Sequence, residues 1–96
     1  MKKIISSIQT STHPIMEVVQ QSKDFKVIAI GLNEGVALKK HTAPKRAKIL
    51  VVKGTVKYTS TRETVNINCF EEYNIPLEEE HEVSADKEAI FLLILG

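Results

Sequence analysis

The chain has 96 residues, which suits one small domain and is too short for two independent hydrophobic cores. Its 13 basic and 12 acidic side chains leave a net charge of +1, so no large field draws the whole molecule to nucleic acid or to an anionic membrane. Aromatic residues make up only 5% of the chain, which leaves few platforms for stacking bases. The longest apolar runs are far shorter than the roughly 20 residues that cross a bilayer. We therefore expect a cytoplasmic protein that binds neither nucleic acid nor membrane.

Residues 1–24 are predicted to form an N-terminal arm with one short helix. Pro14 suits the first position of a helix, and Ile15, Val18 and Val19 follow it at helical spacing. His13, beside the proline, is interpreted as a surface or capping residue. Residues 25–96 are predicted to form the barrel of this single domain.

From Phe25 onward the sequence consists of short segments rich in Val, Ile, Tyr and Phe, with brief breaks between them. About eight such segments at near-regular spacing are typical of an antiparallel sandwich or barrel, so the predicted fold class is all-β. The predicted strands are residues 25–32, 36–41, 47–53, 55–60, 63–70, 72–76, 81–85 and 88–95.

Alternation along a strand predicts which side chains point inward, because successive side chains lie on opposite faces of a sheet. His81, Val83 and Ala85 share one face of their segment, whereas Glu82 and Ser84 share the other. The histidine is therefore predicted to point into the interior with the apolar side chains.

The segments 47–53 and 88–95 carry apolar residues on both faces. A strand of this kind needs cover on both sides, and a small domain has few elements for an outer layer. We expect a second copy to cover part of this surface in a homodimer. The alternative is cover by the N-terminal segment, with Ile4, Ile5 and Ile8 folded back onto the sheet.

Gly35, His41 and Gly54 follow the spacing of a known motif: a glycine, five residues, His-x-His, three or four residues, a glutamate, six residues and a glycine. Pro76 and His81 follow a second: a glycine, five residues, a proline, one residue, a glycine, two residues and a histidine. Over most of residues 25–95 the chain thus resembles a small single-domain cupin, a double-stranded β-helix protein. The resemblance implies an antiparallel jelly-roll β-barrel around an internal metal site.

Four positions depart from the cupin motifs. Ala43 stands where the family has its second histidine and Ala47 where it has its glutamate, so two of four expected protein ligands are replaced. Phe70 and Glu78 stand where the second motif has glycines. Because glycine is normally placed where a positive φ is needed, these two replacements leave the turn geometry open.

His41 and His81 remain as candidate metal ligands, and Glu78 or Glu80 is the candidate third ligand. Alternation places Lys39 on the face of His41, where its positive charge would repel a divalent ion. The other interpretation of the histidine pair, which we prefer, is that both imidazoles are hydrogen-bonded to each other, to water or to backbone. The expected cofactor is accordingly none or a divalent transition metal.

A group of basic residues near His41 could form the mouth of the barrel, with Lys39, Lys45 and Arg46 in contact with a small anionic metabolite. The alternative, which we prefer, is a solvated edge whose lysines prevent pairing with other molecules.

Cys69, the one cysteine, is interpreted as a small buried side chain rather than a nucleophile.

Two functions from different classes follow. The first is a non-catalytic cupin-like dimer that binds a small molecule or has a sensory or structural role, because Ala43 and Ala47 replace two ligands. The alternative is a metal-dependent oxygenase or isomerase that acts on a small organic substrate through His41 and His81. Neither assigns a catalytic residue, since fold alone does not imply function.

Overall fold

In the computed structural model, the structure describes residues 2–42 and 45–96, and of Lys2, Lys40 and His41 it describes the backbone only. These residues begin with a helix α1 (Lys2–Ser7) and a short 3-10 turn (Ile8–Thr10). Nine strands follow: β1 (Ile15–Gln21), β2 (Lys26–Leu32), β3 (Ala37–His41), β4 (Ala47–Lys53), β5 (Val56–Ser60), β6 (Thr64–Ile67), β7 (Glu72–Ile75), β8 (His81–Ser84) and β9 (Ala89–Leu95).

The strands form two antiparallel sheets. The five-stranded sheet has the order β1-β2-β9-β4-β7, and the four-stranded sheet has the order β3-β8-β5-β6. Strands distant in sequence lie side by side, as in a jelly roll, in which the chain crosses repeatedly between two facing sheets. The predicted all-β barrel is confirmed, and each of the eight segments predicted from Phe25 onward contains one strand.

The helix predicted at Pro14 is wrong, because residues 15–21 form β1. Ile15 pairs with Gly31 and Met16 with Ile30, so β1 is hydrogen-bonded along β2. A run rich in β-branched residues fits a pleated sheet better than a helix, and pairing with β2 decides the outcome. The helix of this region is instead α1, and residues 15–21 belong to the barrel rather than to an arm that ends at residue 24.

The core lies between the two sheets and contains side chains from both. Ala47, Ile49 and Val51 of β4 are buried on its inner face, and Tyr58 and Val83 come from the four-stranded sheet. The inward direction predicted for His81, Val83 and Ala85 is confirmed, since all three are buried.

The N-terminal segment covers part of the outer face of the five-stranded sheet. Ile4 and Ile8 are buried and pack with Ala29 and Ile90 in a second, smaller cluster. A Cβ added at Gly31 would lie 2.5 Å from Cγ2 of Ile4, so α1 approaches the sheet closely at this glycine. Cover by the N-terminal segment, the alternative to a dimer, is therefore present for Ile4 and Ile8, whereas Ile5 is 68% exposed.

The turn between β6 and β7 carries Cys69, which is exposed. The expectation of a buried thiol is therefore wrong, because the predicted strand 63–70 ends at Ile67 and leaves the cysteine in a turn.

Over the described part of the chain, no helix is both long enough and apolar enough to cross a membrane.

Candidate functional site

His81 is the first residue of β8 and is only 1% exposed. Its backbone lies opposite that of His41 in the pairing of β8 with β3. The fold therefore brings the two candidate histidine positions to the same end of the four-stranded sheet. The side chain of His41 lies outside the described residues.

The imidazole of His81 is held by contacts on its ring face and at one nitrogen. Nδ1 lies 2.9 Å from the backbone oxygen of Glu79, within hydrogen-bond distance. The ring stacks on Tyr58, with centroids 4.9 Å apart and an angle of 24° between the planes. These contacts fix the orientation of the ring inside the barrel.

A hydrogen-bonded group next to His81 is centred on the carboxylate of Glu79; we call Tyr58, Arg62, Glu63, Tyr73 and Glu79 the Glu79 cluster. Tyr58 Oη donates to Glu79 Oε1 at 2.6 Å, and Arg62 Nε donates to Glu79 Oε2 at 3.0 Å. The same guanidinium donates from Nη1 to Glu63 Oε2 at 2.7 Å and from Nη2 to Tyr73 Oη at 3.3 Å. Both oxygens of Glu79 are therefore engaged by donors.

Three local features of the chain bring the two donors and the Glu79 carboxylate together. Arg62 lies in the turn between β5 and β6, where the Ser60 hydroxyl accepts from the backbone amides of Arg62 and Glu63 at 3.2 Å. Tyr58 points inward from β5 between Val56 and Ser60. Glu79 lies in the loop between β7 and β8, so its side chain joins that loop to the β5–β6 turn.

The contacts of the cluster shift the pKa values of Tyr58, Glu79 and Arg62. Burial, and then the hydrogen bond to Glu79, raise the pKa of Tyr58, which keeps the phenol neutral. The hydrogen bonds from Tyr58 and from Arg62 lower the pKa of Glu79. The hydrogen bond to Glu79 raises the pKa of Arg62. At neutral pH the Glu79 carboxylate therefore lies between the Arg62 guanidinium and the neutral phenol of Tyr58.

The two motif positions that lack glycine keep the backbone conformation that glycine favours. Phe70 has φ 68° and Glu78 has φ 62°, and these are the non-glycine residues with positive φ in the described chain. Gly35 and Gly54, which match the first motif, both have φ 75°. The turn geometry is thus retained at all four positions, with strain at the two that carry a side chain.

The other predicted ligand positions lie in different surroundings. Ala47 is buried on the inner face of β4, where the resemblance expects a glutamate. Ala43 lies outside the described residues. Glu78 and Glu80 are exposed, and the inward-turned carboxylate of this loop is instead that of Glu79. No group of three His, Cys, Asp or Glu side chains that could hold a metal is found among the side chains that the structure describes.

A pocket of about 190 Å³ opens beside His81, at the end of β5 and the start of β8; we call it the rim pocket. Residues with hydroxyl and carboxylate side chains line it together with His81, and neither carboxylate forms an ion pair with a described residue. The lining residues are Thr59, Ser60, Thr61, Glu80, His81 and Glu82.

The three cations of the predicted barrel mouth are not brought together. Lys39 lines a cleft beside β1, Lys45 lines a pocket beside Phe25, and Arg46 lines a third pocket beside Asn74. Their separation follows from their positions, since Lys39 is on β3 whereas Lys45 and Arg46 precede β4 on the other sheet.

Sequence reasoning did not identify Tyr58, Arg62 or Glu79 as site residues. Alternation in the segment 55–60 places Tyr58 on one face with Val56, and this was the available signal for an inward phenol. Arg62 and Glu79 both lie in loops, where alternation makes no prediction of side-chain direction.

Comparison with solved structures gives cupins as the recurring match. The chain superposes on a cupin 2 conserved barrel domain protein from Leptotrichia buccalis with a TM-score of 0.84 and 19% identity, over 99% of this chain and 45% of that one. For a cupin-2 domain containing protein from Shewanella frigidimarina the TM-score is 0.78 and the identity 18%, over 97% and 88% of the two chains. A conserved protein of unknown function from Streptococcus pyogenes superposes with a TM-score of 0.79 and 19% identity, over 88% of this chain and 75% of that one.

No family model and no curated protein matches the sequence. Sequence identity to these structures is below 20%, so the comparison shows a shared fold. The chain therefore has the fold of a small cupin domain, as its two motifs predicted.

Proposed function

We propose that this chain is a non-catalytic cupin-fold protein that binds a small molecule without a resident metal ion. The observation that carries the proposal is the state of Glu79, whose two carboxylate oxygens accept from Tyr58 and Arg62. A carboxylate that binds a metal must offer its lone pairs to the ion. Here a permanent cation, the Arg62 guanidinium, already lies against the carboxylate and would repel a second one.

The interior next to this cluster also favours a metal-free barrel. Ala47 packs with Ile49 and Ile75 in the apolar core and offers no donor atom. Divalent transition metals in catalytic sites generally take three protein ligands and leave one position open. The described side chains do not form such a set, so the proposal assigns the buried His81 to packing on Tyr58 and to the contact of its Nδ1 with the Glu79 backbone.

The rim pocket is the proposed binding site. Its hydroxyls and two carboxylates suit a small polar ligand that donates hydrogen bonds, such as a hydroxyl-rich or amine-bearing molecule. Support for an anionic metabolite comes only from Lys39, Lys45 and Arg46, which line three different pockets. We therefore propose a neutral or cationic ligand in place of the anionic one.

The test is ligand binding by protein kept in a chelator. Saturation-transfer NMR with a panel of monosaccharides, amino alcohols and organic acids should detect at least one hydroxyl-rich or amine-bearing binder. Thr61→Trp, which fills the rim pocket, should abolish this binding, whereas Asn66→Trp, at an exposed position of β6 that does not line the pocket, should leave it unchanged. Binding that persists in Thr61→Trp, or an absence of binding across the panel, would reject the proposed site.

A metal-dependent oxygenase or isomerase remains the second candidate, because the backbone register places His41 opposite His81. It requires that the protein as purified contain a metal ion bound by both imidazoles and by a third donor. Metal analysis separates it from the metal-free proposal.

We also propose a cytoplasmic location. Cys69 is an exposed free thiol, and exposed thiols persist best in a reducing compartment. Fractionation of cells that express the native gene would test this, and recovery of the protein outside the cytoplasm would contradict it.

A further inference from the structure

Tyr58 and Arg62 together form a pair of donors for a single carboxylate. Tyr58 Oη donates to one oxygen of Glu79 at 2.6 Å, and Arg62 Nε donates to the other at 3.0 Å. A hydroxyl and a guanidinium that converge in this way are also groups by which proteins bind the carboxylate of a small molecule. The side chain of Glu79 therefore occupies a position that suits the acid group of a ligand.

Both donors are held by contacts that do not involve Glu79. The Tyr58 ring is fully buried and packs on the ring of Tyr73, with the two centroids 4.6 Å apart. Arg62 donates from Nη1 to Glu63 at 2.7 Å and from Nη2 to Tyr73 at 3.3 Å. If the Glu79 side chain leaves, the phenol and the guanidinium therefore stay in place without this acceptor. Because a buried donor without an acceptor is costly, the vacated pair favours another carboxylate.

The Glu79 side chain can leave these donors without disrupting a sheet. It lies in the loop 76–80, where Glu78 and Glu80 are exposed. Within the described chain, the backbone–backbone hydrogen bond of this loop runs from Glu79 N to Pro76 O at 3.4 Å and stays inside the loop. Rotation about the side-chain bonds of Glu79 would bring its carboxylate into water, as for its two acidic neighbours.

The rim pocket lies beside this pair of donors. Thr61, which lines the pocket, directly precedes Arg62, and Glu80, which also lines it, directly follows Glu79. The Arg62 side chain is 53% exposed, so the guanidinium is accessible from solvent. The pocket and the donors are therefore adjacent parts of one surface, with carboxylates in one part and carboxylate-binding groups in the other.

We infer that the ligand of the rim pocket is a small amino acid, whose carboxylate displaces Glu79 from Tyr58 and Arg62. The inference rests on the proposed function, because the ammonium group of this ligand would lie in the rim pocket near Glu80 and Glu82. One carboxylate replaces another, so both donors keep a charge-assisted hydrogen bond. The displaced carboxylate of Glu79 regains its hydration. An amino acid zwitterion is neutral overall, in accord with the ligand charge proposed above.

Glu79 acts in this scheme as an internal competitor that sets the selectivity of the site. Its tether to the loop gives it a high effective concentration beside the donors, so a simple carboxylate such as acetate displaces it poorly. An amino acid adds ammonium contacts in the rim pocket, which a simple carboxylate lacks. The apparent affinity for a carboxylate-bearing ligand falls with the fraction of molecules in which Glu79 occupies the donors. Removal of the competitor should therefore tighten the binding of an amino acid but not that of an amine.

Titration calorimetry with L-serine and with ethanolamine tests the inference. The two probes share an ammonium group and a hydroxyl, and only serine carries a carboxylate. Glu79→Gln removes the charge of the internal competitor, so it should tighten serine binding by about tenfold and leave ethanolamine binding unchanged. Glu78→Gln is the matched control, because it removes an exposed carboxylate of the same loop that neither lines the rim pocket nor belongs to the Glu79 cluster. It should bind both probes as the wild type does.

Further measurements keep the test decisive. In the Glu79→Gln background, Tyr58→Phe should reverse most of the gain for serine, since the gain depends on the phenol as a donor. If circular dichroism shows that Glu79→Gln is not folded, Glu79→Ala should give the tighter serine binding in its place. In the wild type, NMR should show nuclear Overhauser contacts from serine Hα to the Tyr58 ring, which bound ethanolamine should lack.

The two proposals fail on different results. A serine affinity unchanged by removal of the Glu79 carboxylate, or serine and ethanolamine affinities that change alike, would overturn the inference and leave the rim pocket as a site for amines. A wild type that binds ethanolamine but not serine would overturn it as well. An absence of binding by both probes would also overturn it, whereas binding of another hydroxyl-rich or amine-bearing molecule in the rim pocket would then still support the proposed function.

Discussion

The phenol of Tyr58 donates a 2.6 Å hydrogen bond to Glu79 Oε1, and this contact ties the interior of β5 to the loop that precedes β8. Tyr58 also stacks on His81, so the same ring orients the imidazole. The geometry at this end of the barrel thus depends on a tyrosine and a glutamate that neither cupin motif contains.

Tyr58→Phe should destabilise the fold by about 1–2 kcal/mol, because it removes a hydrogen bond to a charged group and leaves Glu79 Oε1 without that donor. Urea unfolding at neutral pH measures the change. Tyr73→Phe is the control, since its hydroxyl accepts a longer hydrogen bond of 3.3 Å from exposed Arg62, and it should cost less. Equal effects of the two substitutions would contradict the assigned role of the Tyr58 contact.

Glu79→Gln should reduce the loss of stability in acid. The hydrogen bonds from Tyr58 and Arg62 lower the pKa of Glu79 in the folded protein, whereas in the unfolded chain the pKa is near its usual value of about 4.3. The stabilisation is therefore complete above about pH 5 and is lost as pH falls through the folded value. The urea midpoint of the wild type should fall more steeply over this range than that of Glu79→Gln.

The control for this pH series is Glu80→Gln, which removes an exposed carboxyl from the same loop outside the Glu79 cluster. Its acid profile should follow that of the wild type. A Glu79→Gln profile that also matches the wild type would mean that Glu79 contributes nothing to acid sensitivity.

Phe70→Gly and Glu78→Gly should each stabilise the protein by about 1 kcal/mol. Both positions have a positive φ, which is costly for a residue with a Cβ and free of that strain for glycine. Phe70 is 78% exposed, so little packing is lost with its side chain. Thermal unfolding measures the gain. Leu77→Gly, next to Glu78 but without a positive φ, should instead destabilise, and a gain there would show that strain relief is not the cause.

Gly54→Ala should cost more stability than Gly35→Ala, although both glycines have φ 75°. A Cβ at Gly54 would lie 2.8 Å from the backbone oxygen of Glu88, whereas a Cβ at Gly35 meets nothing within 4 Å. We expect about 1 kcal/mol from the φ strain alone at Gly35, and about twice that at Gly54. Chemical denaturation of both variants gives the comparison, and equal losses would contradict the predicted clash.

The barrel could be predicted because short segments rich in β-branched and aromatic residues recur between brief breaks, and because the motif residues are spaced as in cupins. His81 was correctly predicted to point inward from the pattern of Val83 and Ala85. The N-terminal region was mispredicted because Ile15, Val18 and Val19 satisfy helical spacing within a segment too short to distinguish the two periods. Pairing with β2, a non-local contact, determines its structure.

The site was harder to predict than the fold because its polar contacts join loops. Glu79 has two acidic neighbours of identical type, Glu78 and Glu80, and no sequence pattern shows which of the three turns inward. The structure distinguishes them, since Glu78 takes the positive φ that the motif requires and Glu79 meets Tyr58 and Arg62.

The metal content of the purified protein tests the central claim most directly. We predict that elemental analysis of wild-type protein, prepared without chelator and without added metal, will find far less than one iron, manganese, zinc, nickel or copper ion per chain. Chelator should then leave the melting temperature unchanged. One equivalent of a transition metal per chain, lost in His41→Ala and in His81→Ala while both variants remain folded, would contradict the claim and establish the metal-dependent alternative.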